Sequence, residues 1–197
     1  FEAFPQNVEF KNGLAISYSR LGSTHSSLGN LDQALIFFEL RSKLGKELFE
    51  AFPQNVEFKN GLAISYSRLG STHSSLGNLD QALIFFELRS KLGKELFEAF
   101  PQNVEFKNGL AISYSRLGST HSSLGNLDQA LIFFELRSKL GKELFEAFPQ
   151  NVEFKNGLAI SYIKLGLHYQ EHLDTPQKAL NKYEQAKTLW LELSTEQ

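Results

Sequence analysis

Residues Leu21–Asn30 read LGSTHSSLGN, and the same ten letters return at Leu69 and at Leu117. A hydroxyl beside an imidazole is the raw material of a nucleophile with its base, and serine and threonine between glycines can line a phosphate cradle. A second stretch, HYQEH at His168–His172, matches the H-x-x-E-H pattern of one class of zinc peptidases. Each chemistry needs more than these letters. The nucleophile needs a third, orienting group and oxyanion donors. The cradle needs backbone N–H groups that are free, at a helix start or in a nest. The zinc needs a third ligand, and only Leu173 to Gln197 remains downstream to supply one.

Which of these needs can be met depends on the elements that carry the residues. Phe1, Phe49, Phe97 and Phe145 each open the text FEAFPQNVEFKNGLAISY, so the period is 48. Residues 1–48, 49–96 and 97–144 are identical, and the fourth copy departs after Tyr162. Within a unit, Phe10, Leu14, Tyr18, Leu21, His25 and Leu28 fall on one face of a helix (helix A). Leu31, Ala34, Leu35, Phe38, Gly45, Leu48 and Phe52 do the same for a second helix (helix B). Asn7 is placed to cap helix A, and Asn30 with Gln33 suggests a capping box on helix B. Gly29 suits a left-handed stop between them, and Phe52 is pushed out of the helical region by Pro53. Two helices of about 22 residues each cannot cover both apolar faces alone, but stacked identical units can. The reading is therefore all-α, with eight helices after a short stub. Residues 1–6 are the stub, 7–54, 55–102 and 103–150 are repeats, and 151–197 is a diverged terminal repeat.

On this reading GSTHSS lies inside helix A, where backbone N–H groups are already bonded, and no acid shares its face. The phosphate and nucleophile readings fall away. Gly22, Ser23, Ser26 and Ser27 are expected to let helices approach closely, with His25 filling an aromatic slot between repeats. HYQEH sits on the terminal helix A in the register of repeats that lack such a pair, so exposed polar capping is expected there rather than a metal site. Gly13 and Gly45 suggest close helix contacts, Trp190 a core anchor, and Lys43 with Glu47 an i,i+4 pair.

The bulk composition agrees with a folded helical array. Charged residues make up 21% of the 197, and the net charge of −2 gives no electrostatic reason to bind nucleic acid or an anionic membrane. Each 48-residue unit balances five acids against five bases. No apolar run approaches the ~18 residues of a membrane span. Cysteine is absent, which excludes disulfides and thiolate metal sites. Methionine is absent even at position 1, so the chain is expected to be processed or cut from a longer polypeptide.

Tyr18, Leu21-Gly22, His25, Gly29, Ala34 and Phe38 now stand in the order of the pattern W-x₂-L-G-x₂-Y with a following A-x₃-F, and they recur through Tyr66–Phe86 and Tyr114–Phe134. The last copy gives Tyr162, Leu165, Gly166, Tyr169, Ala179, Tyr183 and Ala186, with one extra residue in its turn. The chain resembles the tetratricopeptide-repeat family over nearly its whole length. It departs by a period of 48 against 34, close to two additions of two helical turns each. The resemblance implies a right-handed α-solenoid (superhelix) of antiparallel helix pairs that binds a protein or peptide along a concave helix-A face. It implies a scaffold without catalytic activity or cofactor. Ligand contacts are then expected from Ser19, Arg20, Ser23 and Ser26, from Ser67, Arg68, Ser71 and Ser74, and from Ser115, Arg116, Ser119 and Ser122. The subgroup that clamps C-terminal carboxylates uses lysine, asparagine and arginine where this chain has Ser19 and Ser23, which argues against that ligand. No nucleic-acid or membrane partner is expected, and a natural chain of this kind would be cytoplasmic.

Three identical copies point to recent expansion or to deliberate design. An engineered or idealised array, with a natural fourth repeat kept as a cap, is therefore the alternative, and such an array needs no ligand of its own. Lys178, Lys182, Glu184 and Lys187 suit the solvent-facing side of a cap. The open first helix is expected to allow end-to-end self-association.

Overall fold

A computed structural model describes residues 7–195. They form eight α-helices and, among the described residues, no strand: α1 Val8–Ser27, α2 Leu31–Ala51, α3 Val56–Ser75, α4 Leu79–Ala99, α5 Val104–Ser123, α6 Leu127–Ala147, α7 Val152–Glu171 and α8 Pro176–Thr195. Two compact units, Phe1–Ala99 and Phe100–Gln197, hold α1–α4 and α5–α8. In each unit the helices pack as two hairpin pairs, the second pair resting on the first through α2 and α3 or through α6 and α7. The expected stub at residues 1–6, with the self-association argued from it, lies outside the described residues.

Local sequence sets the helix ends. The Asn7 side chain accepts the Phe10 N–H at 3.0 Å, and Asn55, Asn103 and Asn151 cap α3, α5 and α7 in the same way. Gly29 has φ +77°, which a residue with a side chain rarely adopts. That turn brings Asn30 N–H to the His25 carbonyl at 2.9 Å and Gly29 N–H to Ser26 at 3.1 Å, the paired bonds of a Schellman stop. The capping box expected of Asn30 does not form. With ψ 67° its side chain makes no cap bond, and its backbone is already committed to closing the turn. In the longer last turn Asp174, at φ 45°, takes the left-handed position, and α8 opens on Pro176.

Each pair closes on a glycine and a ring. A Cβ on Gly22 would lie 2.6 Å from the Phe38 ring, and Gly70 meets Phe86 in the same way. In the last pair Gly166 faces Tyr183, which replaces the phenylalanine. His25 stacks on Phe37 of its own pair at 5.4 Å, so the aromatic slot lies within a repeat and not between repeats. Of the close contacts expected of Gly13 and Gly45, only that of Gly45 forms, buried against the Leu62 backbone of α3. Gly13 has no neighbour within 4 Å of a Cβ position.

Ion pairs also bind the pairs. Lys11 reaches Glu47 at 2.9 Å, Lys59 reaches Glu95 at 3.1 Å and Lys107 reaches Glu143 at 3.0 Å. Glu47 is therefore engaged across the pair rather than by Lys43, and the pair along α2 is Lys46 with Glu50. Half-exposed pairs of this kind contribute about 0–1 kcal/mol each, so packing dominates.

Stacking decides what is buried. Helices α1 and α3 have the same sequence, yet Leu21 is 45% exposed and Leu69 2%. Leu69 packs with Ala34 and Phe38 of the preceding pair, whereas no described helix precedes α1. Covering a leucine is worth about 1.5–3 kcal/mol, so the second pair owes part of its stability to the first. In the other unit Leu165 and Tyr169 of α7 close over Ala130 and Phe134 of α6. Trp190 is not a core anchor. It is 39% exposed and donates its Nε1–H to Asn156, while Ala186 and Leu189 carry the α8 core contact.

Candidate functional site

The face of α1 turned away from the α1–α2 core carries Ile16, Arg20, Ser23, Ser26 and Ser27. Ile16, Arg20, Ser26 and Ser27 are exposed and Ser23 is half-buried. The matching face of α3 exposes Ile64, Arg68, Ser74 and Ser75. Several of the small hydroxyls are turned onto their own helix. Ser23 donates to the Ser19 carbonyl and Ser71 to the Ser67 carbonyl, each at 2.8 Å. Such bonds satisfy the hydroxyl without a ligand and leave shallow ground between side chains. The Arg68 guanidinium lies 5.9 Å from the Phe38 ring centre, a cation–π contact that holds the arginine at the seam between the two pairs.

In the second unit two of the expected contact residues, Ser119 and Ser122, come together around one cavity of about 260 Å³. Its other walls are Ser123 of α5, Phe134 of α6, and Lys164, Leu167, His168, Glu171 and His172 of α7 and its C-cap. Ser115 and Arg116 are not among its lining residues. The Lys164 ammonium donates to Ser119 Oγ at 2.8 Å and sits 6.0 Å from the Phe134 ring centre. Burial holds Lys164 below the ordinary lysine range, and repulsion from Arg116 and Arg137 adds to the shift. Ser122 Oγ and His172 Nε2 stand 3.5 Å apart.

His168 is 2% exposed, and neither ring nitrogen has a hydrogen-bond partner of good geometry. Its pKa is lowered first by burial and then by His172, with the Leu127 carbonyl and Asp128 opposing. The exposed capping role expected for HYQEH thus holds for Glu171 and His172 but not for His168. Among the described residues no group of three or more histidine, aspartate or glutamate side chains is placed to hold a metal ion.

Counting back 48 residues shows why this cavity is unlike the rest of the face. Lys164, His168, Glu171 and His172 stand where the preceding repeat has Arg116, Thr120, Ser123 and Leu124. The divergence of the last copy was therefore the readable signal. A second feature had no such signal. Arg41 of α2 donates to the Gly61 carbonyl of α3 at 2.7 Å, and Arg137 of α6 to Gly157 of α7 at 3.0 Å. These arginines clamp one pair onto the next through the bare backbone of a glycine. Burial lowers the pKa of both.

The tetratricopeptide repeat family model matches residues 15–40, 63–88 and 111–136. Each match begins inside a helix A and ends inside its helix B. Repeats of this family generally mediate protein–protein interaction and are typically scaffolds rather than catalysts. Among solved structures, BtubC (BKLC) from P. vanneervenii is 21% identical with a TM-score of 0.75, covering 93% of this chain and 66% of that one. The chain thus spans just under two thirds of that protein, and the likeness is one of fold. A de novo designed helical repeat protein is 18% identical with a TM-score of 0.49, covering 95% of this chain and 96% of that one. The MamA protein is 17% identical with a TM-score of 0.48, covering 93% and 96%. No curated protein matches by sequence. Among the described residues no helix is long and apolar enough to cross a membrane.

Proposed function

We propose that this chain, an all-α tetratricopeptide-repeat array, is a scaffold that binds a peptide or protein segment along its helix-A faces. The observation that carries the reading is the face itself. Ile16 and Ile64 stay exposed beside Arg20, Ser26, Arg68 and Ser74, although burial of the isoleucines elsewhere would stabilise the fold. An apolar residue repeated beside a cation and small hydroxyls offers an extended ligand a pocket, a charge and room for its backbone. The small hydroxyls and exposed apolar side chains of this face suit recognition of an extended segment.

A second reading has its own support. Three copies identical at every position fit an array kept or designed for its fold, with no ligand. A peptide-array screen separates the two. The scaffold reading expects sequence-selective binding that Ser26→Glu and Ser74→Glu abolish while the helical circular dichroism stays unchanged. Absence of selective binding, or binding indifferent to both substitutions, would favour the structural array.

A further inference from the structure

We propose that the cavity between α5, α6 and α7 is a site for a phosphoryl group, presented on a phosphoserine or phosphothreonine of the bound segment. The inference rests on the scaffold reading for its source of phosphate, but the site can be tested without it.

The lining supplies donors from two facing elements, α5 and α7 with its C-cap. Lys164 Nζ and Ser119 Oγ already touch at 2.8 Å, and Ser122 Oγ and His172 Nε2 face each other at 3.5 Å. A phosphoryl group brings three strong acceptor oxygens and close to two negative charges, which suits an ammonium, two hydroxyls and an imidazole better than a two-oxygen carboxylate does. Arg116 and Arg137 add positive potential at the lysine. The one acid in the lining, Glu171, also acts on the Tyr183 hydroxyl, whose pKa it helps to raise.

His168 is a second observation, independent of the serines. A 2%-exposed imidazole stands in the wall of this cavity, its nitrogens without a hydrogen bond of good geometry and only the Leu127 carbonyl acting on it from the backbone. A buried polar group without a hydrogen bond is costly, and the preceding repeat has Thr120 here, whose hydroxyl is satisfied by the Arg116 carbonyl. A bound anion would lend charge to this wall and favour protonation of the imidazole beside it. A metal ion is the poorer occupant, since no third ligand is placed for it.

The test titrates the whole chain with inorganic phosphate, and with acetate as control, while following the imidazole NMR signals of His168 and His172. Phosphate should shift both signals saturably, with acetate much weaker. Lys164→Met should weaken phosphate binding by about tenfold or more, the scale of a lost hydrogen bond to a charged group. Ser122→Ala should weaken it less, and Ser74→Ala not at all. Lys164→Arg, which keeps the charge, should retain most binding and shows that a loss in Lys164→Met is not misfolding. Equal responses to phosphate and acetate, or a phosphate response unchanged in Lys164→Met, would overturn the site. A peptide array printed with and without phosphate then separates the two readings. Phosphate-dependent capture supports both, and capture indifferent to phosphate leaves the scaffold standing and sinks the phosphoryl site. Saturable, Lys164-dependent phosphate binding with no peptide captured supports the site while the scaffold reading fails.

Discussion

Helix α3 contains two glycines, and alanine at each should have opposite consequences. Both substitutions gain the helix propensity of alanine over glycine, about 1 kcal/mol. At Gly61 the nearest atom to a new Cβ is an Arg41 nitrogen at 3.9 Å, which is ordinary contact. At Gly70 the new Cβ would lie 2.6 Å from Phe86 Cε1 and 2.7 Å from Cδ1, about 1 Å inside normal separation. Phe86 is buried and packed on all sides, so its ring cannot swing away freely. Overpacking of this kind costs roughly 1–3 kcal/mol. Gly61→Ala should therefore raise stability by up to about 1 kcal/mol, whereas Gly70→Ala should be neutral at best and up to about 2 kcal/mol less stable. Because the propensity gain is common to both, their difference isolates the steric contact. Urea unfolding followed by far-ultraviolet circular dichroism measures it, and Phe86→Leu in the Gly70→Ala background should recover part of the loss. If Gly70→Ala stabilises the protein as much as Gly61→Ala, the glycine–ring contact does not hold the pair together.

Two further outcomes follow from burial and charge. Leu69→Ala should cost about 2–5 kcal/mol and Leu21→Ala under about 1.5 kcal/mol, although the surrounding sequence is the same, as paired urea titrations would show. His168 has a folded-state pKa below its ordinary 6.5, so the unfolded chain takes up the proton first. Stability of the last pairs should then be full above about pH 6.5 and fall as pH drops through that value toward the folded pKa. Thermal melts from pH 7.5 to 5.5 should show the slope, and His168→Thr, which restores the residue of the other repeats, should flatten it.

What could be read in the sequence was what is decided locally. Asn7 caps because its side chain reaches an N–H three residues on, and Gly29 stops α1 because the chain must turn left there. Gly22 was expected to let a helix approach closely, and the Phe38 ring fills that space. The features that escaped depend on neighbours that the local letters do not specify. Leu21 and Leu69 have identical surroundings in sequence and opposite burial, since only one has a preceding pair to cover it. Nothing in the letters around Arg41 shows that it reaches the Gly61 carbonyl of the next helix. Glu47 had a correctly spaced lysine in Lys43 but a better placed one across the pair in Lys11. His168 was judged by the polarity of HYQEH, whereas its burial follows from the helix face on which it falls.

Stacking, not local sequence, buries a helix A that rests on a preceding pair, and cysteine scanning tests this most directly because the chain has no cysteine of its own. Ser17 and Ser65 occupy the same place in α1 and α3, but Ser17 is exposed and Ser65 is 0% exposed. With Ser17→Cys and Ser65→Cys made separately, the thiol at 17 should react with a disulfide reagent at close to the rate of a free thiol. The thiol at 65 should react at least about 100-fold more slowly, limited by opening of the stack. Equal labelling rates in two folded variants would contradict the account.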